Sequence, residues 1–206
     1  MSRAGTKGVP REQREEQILD VATIEFGDHG YAKASIATIA SAAGVSKPLV
    51  YAYFGSRDGL HAACVHRAGK SLVDAVAAAR STYGAPHKAL ATLAGIFHAL
   101  DGRTQNWKII YDTTLPRPGA AYAVARAYQD ALNGMGSEGV AQVLAEAGTG
   151  DSDDHALLLA IWFSIVSTTI SWWSQHPHYT PEEMTERCVR LFTAIRRPAD
   201  HNAPTT

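Results

Sequence analysis

The residue types most able to do chemistry sit close together in Ser46-Lys47-Pro48-Leu49-Val50-Tyr51-Ala52-Tyr53-Phe54, just after Gly44. Lys47, near a helix start, can reach a phosphate or a guanine edge, and Pro48 or Leu49 can pack on a thymine methyl. Tyr51 and Tyr53 can donate hydroxyl hydrogen bonds to phosphates, which fixes register without reading sequence. Arg57, at the start of the next helix, adds a charge-assisted phosphate donor beside that helix's unpaired N–H groups. The chemistry on offer is that of a duplex-binding surface.

Other chemistries find less support. The chain has nine histidines, but His61 and His66 are five apart and miss the i, i+4 spacing that puts two imidazoles on one helical face. His176-Pro177-His178 lies in a turn without a cysteine or carboxylate pattern, so no metal site is expected. The two cysteines, Cys64 and Cys188, form neither a disulfide framework nor a CxxC pair, which suits a reducing cytosol. No GxGxxG follows a strand, and GxxxxGK[ST], HExxH and GxSxG are missing. No catalytic residue and no cofactor is assigned.

The elements that must position the Ser46–Phe54 stretch are helices. Ile18, Ala22 and Phe26 recur every four residues and predict a first helix ended by Gly27 and Gly30. Ser35 can cap a second helix, buried through Ile36, Ile39, Ala40 and Ala43. Gly44 stops it, and Ser46 caps a third in which Val50 and Phe54 point inward. A fourth helix runs from near Ser56 to about Thr82, where Tyr83-Gly84-Ala85-Pro86 breaks it. Beyond it, Leu90, Leu93, Ala94, Phe97 and Leu100 make one apolar face, with a short helical segment over 107–111. A long helix follows over 120–147, interrupted at Gly134-Met135-Gly136, and an uncharged one over 155–174. The last opens with a capping box at Thr180-Pro181-Glu182-Glu183. No segment alternates with period two, so the fold is all-α.

At 206 residues, with 46% hydrophobic and 19% charged residues, the chain can bury a sizeable core and carries a net charge of only -1. Nucleic-acid binding must therefore come from a local patch. The first 25 residues lack the apolar stretch of a signal peptide, and the reading is a cytoplasmic protein. The uncharged run from Ala156 to Gln175 is long enough to span a bilayer. It nevertheless carries Ser164, Ser167, Thr168, Thr169, Ser171 and Ser174 without flanking Lys/Arg clusters. A buried or interface helix is expected, not a membrane span.

Gly30-Tyr31, Ser35-Ile36, Ile39-Ala40, Ala43-Gly44-Val45-Ser46 and Tyr51-Ala52-Tyr53-Phe54, followed by Arg57 and Leu60, resemble the N-terminal domain of tetracycline-repressor (TetR) type regulators. The resemblance covers roughly residues 11–69. It implies an N-terminal three-helix helix-turn-helix DNA-binding domain over 1–56, with a flexible tail at 1–10, and a helical ligand-binding and dimerisation domain over 57–206. Leu49 stands where the family usually has a small hydroxyl or alanine, Ala37 where it often has a polar residue, and Arg57 replaces a common lysine. The DNA-binding set is Ser35, Ser46, Lys47, Pro48, Leu49, Tyr51, Tyr53 and Arg57, with Arg3, Lys7 and Arg11 able to form a minor-groove arm.

Phe97, Trp107, Tyr111, Tyr122, Trp162 and Phe163 are candidates to line an apolar ligand pocket. Trp162, Ile165, Thr169, Trp173, Val189 and Phe192 are the expected homodimer interface, with Trp162, Trp172 and Trp173 read as sharing one face. The implied function is a ligand-responsive regulator, a repressor that binds a near-palindromic operator on double-stranded DNA as a dimer. A small-molecule effector releases it. The rival is an all-α ligand-binding or enzymatic protein with a vestigial DNA-binding head.

Overall fold

The computed structural model describes residues 9–82 and 88–196; the Tyr83–Pro86 breaker and the tail with Arg3 and Lys7 lie outside the described residues. Among those described there are helices and no strand, as an all-α reading requires. Helix α1 (Arg11–Lys33) buries Ile18, Leu19, Ala22 and Phe26 along one stripe. Gly27 does not end it. The helical path breaks at Gly30, with φ 73°, and Gly27 lies where a Cβ would run into the Gln105 side chain.

Helices α2 (Ile36–Ala42) and α3 (Lys47–Phe54) are short and each is fixed by its first turn. The Ser35 and Ser46 hydroxyls accept from the N–H groups of Thr38 and Leu49, both at 3.3 Å. Between them Gly44 sits at φ 65°, a left-handed conformation that a side chain would strain.

Helix α4 (Arg57–Thr82) is the spine. It packs against α1, α5 (Lys88–Ala99), α6 (Gln105–Ile110) and α7 (Ala120–Glu146). Its fully buried Leu60, Cys64, Val65, Leu72 and Val76 join one continuous core running from the head to α9. On its solvent side Arg67 pairs with Glu16 at 2.7 Å and Asp20 at 2.8 Å, tying α4 to α1. Gly69 permits the α4–α7 crossing, because a Cβ there would overlap the Tyr128 ring.

Helix α7 runs unbroken through Gly134-Met135-Gly136, where an interruption is predicted; both glycines keep helical backbone, and Gly136 receives the Phe163 ring of the next helix. Helix α8 (Ser152–Ser174) starts a turn's length earlier than its apolar residues imply. Asp151 caps it, accepting from Asp153 N at 2.7 Å and Asp154 N at 3.1 Å. Helix α9 (Pro181–Arg196) opens with the predicted capping box. Thr180 N donates to Glu183 Oε2 at 2.8 Å, and Glu183 N donates to Thr180 Oγ1 at 3.2 Å.

Candidate functional site

Helix α3 divides its residues between core and solvent. Val50 is buried and Phe54 half-buried, while Ser46, Lys47 and Pro48 are exposed and Leu49 is intermediate. The two phenols are not equivalent. Tyr51 is 41% exposed, whereas Tyr53 is half-buried, tilted on Phe54 at 6.1 Å and covered by the Arg11 guanidinium at 5.1 Å. Ser35 and Ser46 spend their hydroxyl lone pairs on helix caps, and Ser35 N also donates to Glu25 Oε1 at 2.8 Å.

Arg57 is already engaged within the chain. Its Nη2 donates to the carbonyl oxygen of Tyr31, and the guanidinium lies 4.9 Å from the Tyr31 ring centroid. The side chain thus braces the turn after Gly30.

Beneath the head lies a polar joint that sequence patterns did not reveal. Tyr31 N donates to Asp112 Oδ2 at 2.6 Å, and Ala32 N to Thr114 Oγ1 at 3.4 Å. Asp58, on the first turn of α4, accepts from Ala120 N at 2.6 Å and Ala121 N at 3.2 Å and so caps α7 from 62 residues away. Between these contacts sits His61, fully buried, edge-on to Phe26 at 4.6 Å and Tyr31 at 5.3 Å. Neither ring nitrogen has a hydrogen-bond partner among the described residues. Burial pushes its pKa down to about 4, against the opposing pull of Asp112 and Asp58. The Gly30-Tyr31 pair of the motif was the one local signal pointing here.

A cavity of about 670 Å³ opens between α4, α5, α7 and α8. Of the predicted aromatics, only Trp162 lines it. Phe97 is fully buried, packed edgewise on Trp173 at 5.5 Å. Trp107 and Tyr111 stack on each other at 4.3 Å within the core, and burial pushes the Tyr111 hydroxyl pKa upward. Tyr122 lies under Arg117 at 4.8 Å, and Phe163 packs on Gly136. These rings fill space that helix packing would otherwise leave empty.

The predicted interface residues also divide. Trp173 is 3% exposed and its Nε1 donates to Tyr179 O at 2.8 Å, so it belongs to the core. Adjacent residues on a helix point about 100° apart, so Trp172 and Trp173 cannot share a face; Trp172 is the exposed one. Trp162 and Ile165 turn to the cavity, Thr169 donates back to Ile165 O at 2.7 Å, and Phe192 is half-buried against the core. Val189 is exposed, together with Leu157, Leu191 and Ile195, which the prediction did not include. Helix α8 is long and apolar enough to cross a membrane by length and composition, and only 17% of its most apolar window is buried within the chain. The expected burial is therefore not supplied by this chain alone.

Residues 18–64, spanning α1 to the second turn of α4, match the family model described as bacterial regulatory proteins of the tetR family. By this match residues 18–64 are a TetR-type N-terminal domain. The chain is similar to the HTH-type transcriptional activator FasR of Mycolicibacterium smegmatis, 33% identical over 121 residues. That match covers 57% of this chain and 55% of FasR, so the chain spans about half the length of that relative. A TetR-family transcriptional regulator from Bordetella parapertussis 12822 superposes with a TM-score of 0.75 at 20% identity, covering 95% of this chain and 100% of the other. AibR, solved with isovaleryl coenzyme A and operator DNA, gives a TM-score of 0.70 at 18% identity, over 86% of this chain and 97% of its own. At those identities the structures speak for a shared fold. The chain thus combines a head matched to that family with a C-terminal helical body that shares the fold of those solved structures.

Proposed function

We propose that this TetR-family chain is a ligand-responsive DNA-binding regulator, not an enzyme, that acts as a cytoplasmic homodimer. Residues 1–56 form the DNA-binding domain and 57–206 the ligand and dimer domain. The observation that carries the reading is the division of α3: Val50 anchors one side in the core while Lys47, Pro48 and Tyr51 stand exposed on the other. Lys47 and Tyr51 grip phosphates, Pro48 and Leu49 meet base edges, and Tyr53 with Arg11 supports the flank. Ser35 and Ser46 act through the caps that set the two helices in place.

The outward apolar residues of α8 and α9 are covered by a second copy, which accounts for a helix uncharged from 156 to 174 and yet so little buried in its own chain. Two-fold symmetry sets both α3 helices in successive major grooves about 34–36 Å apart. The effector occupies the cavity beside Trp162, and AibR, with its acyl-thioester and operator, offers the model for one chain binding both. Effector and DNA favour different dimer states, so binding one releases the other. FasR is named an activator, and a reporter assay reads the sign of regulation for this chain.

Selection from a randomised duplex pool supplies the operator for the test. Each phosphate contact adds about 0.9 to the slope of log affinity against log salt. Lys47→Ala should therefore flatten that slope by about 2 for a dimer, while Tyr51→Phe weakens affinity and leaves the slope alone. An unchanged slope in Lys47→Ala refutes the proposed DNA face.

A further inference from the structure

The cavity between α4, α5, α7 and α8 has an uneven chemistry. Among the described residues its wall is mainly apolar, with Met135, Val140, Leu158, Trp162 and Ile165 among the contributors, and the charged lining residues are Arg80 and Glu146. They differ in setting. Glu146 is exposed, whereas the Arg80 side chain is only 17% exposed. A charge held away from water acts more strongly on a ligand than one screened at a rim.

Among the described residues Arg80 is held by a single partner. Its Nη2 donates to Glu138 Oε2 at 2.7 Å through one hydrogen bond, and Glu138 is 72% exposed and does not line the cavity. A guanidinium can give a carboxylate or phosphate two parallel hydrogen bonds, and a surface carboxylate holding it by one is a weak competitor.

We propose that the effector is an amphiphile with an apolar chain and a terminal anion, and that the anion takes Arg80 from Glu138. This rests on the reading of the cavity as the effector site and names the ligand's class. The apolar tail lies along Met135, Val140, Trp162 and Ile165, and Glu146 keeps the anion away from its own end. Arg80 lies in the last turn of α4, and Arg57 and Asp58 lie in the first, about 35 Å along the same helix at 1.5 Å per residue. A ligand that repositions Arg80 therefore acts on the helix that holds the Tyr31 carbonyl and the start of α7. A free carboxylate and the phosphates of an acyl thioester share this chemistry.

Calorimetric titration of the full-length protein tests the assignment with decanoate, decanoyl-CoA, 1-decanol and decyltrimethylammonium, each below its micelle concentration. Decanoate or decanoyl-CoA should bind about tenfold or more tighter than decanol, and the tighter of the two identifies the source of the anion. Arg80→Gln should erase that preference while decanol binding persists. Glu138→Gln, an exposed change that spares the fold, should tighten the anion severalfold and leave decanol unmoved. Equal affinity for decanoate and decanol overturns the proposal while leaving the cavity as a ligand site. Tightest binding by the ammonium overturns it in favour of Glu146 as the anchor. If no probe binds although operator affinity is intact, the cavity reading falls as well.

Discussion

Asp58 offers a direct measure of how firmly α4, the helix that follows the head, is joined to α7. Its carboxylate accepts from Ala120 N and Ala121 N at the start of α7, where unpaired N–H groups and the positive end of the helix dipole favour an anion. Substitution by alanine removes two charge-assisted hydrogen bonds and leaves two helix-terminal donors to solvent. An N-cap loss costs about 0.5–2 kcal/mol, and a hydrogen bond to a charged group contributes about 1.5–3 kcal/mol. Water can reach this half-exposed site, so a total near 2 kcal/mol is expected. With a urea slope of about 2 kcal/mol/M, the unfolding midpoint of Asp58→Ala should fall by about 1 M at fixed protein concentration. Asp58→Asn keeps an acceptor without the charge and should fall by roughly half as much. The measurement is equilibrium denaturation followed by circular dichroism. An Asp58→Ala midpoint within error of wild type would refute the idea that this capping contact holds α4 to α7.

Further predictions follow from other contacts. His61 has a folded pKa of about 4 against 6.5 for the free side chain, so its contribution is whole above pH 6.5 and is lost as pH falls from 6.5 towards 4. That gap corresponds to roughly 3 kcal/mol, and His61→Phe should flatten the stability profile across this window when denaturation is repeated at several pH values. Gly69→Ala should cost about 1–3 kcal/mol by forcing a Cβ into the Tyr128 ring, and Tyr128→Ala in the same chain should recover part of that loss in thermal unfolding. Leu191→Glu with Ile195→Glu alters two outward residues of α9 and should give monomers by sedimentation velocity; an unchanged dimer would place the interface elsewhere.

Local rules carried much of the architecture. The Ser35 and Ser46 caps, the Gly44 turn and the reciprocal Thr180–Glu183 pair each act within three or four residues, so their signals lie in short windows. The apolar stripe through Ile18, Ala22 and Phe26 likewise identifies the buried face of α1. The errors share a cause, which is that the deciding partner is distant in sequence. Gly27 reads as a stop signal until Gln105 is seen against it, and Arg57 reads as a surface cation until the Tyr31 carbonyl arrives. The aromatic residues show the same limit. Periodicity marks Phe97 and Trp162 equally as apolar, but only the packing of α7 against α8 decides that Trp162 borders an opening and Phe97 does not. Trp172 and Trp173 diverge by about 100° around α8, so one faces solvent while the other joins the core.

Helix α8 carries Trp162 and Ile165 on the side towards α7 and Leu157 on an exposed flank, with Ile161 both bordering the cavity and open to solvent. A rod with cargo on one flank and a sister molecule on the other cannot respond to either in isolation. In the proposed dimer, cargo affinity and the dissociation constant of the pair are then thermodynamically linked, each shifting the other by the same factor. Dilution series with and without cargo would expose that reciprocity as a change in the concentration at which pairs come apart.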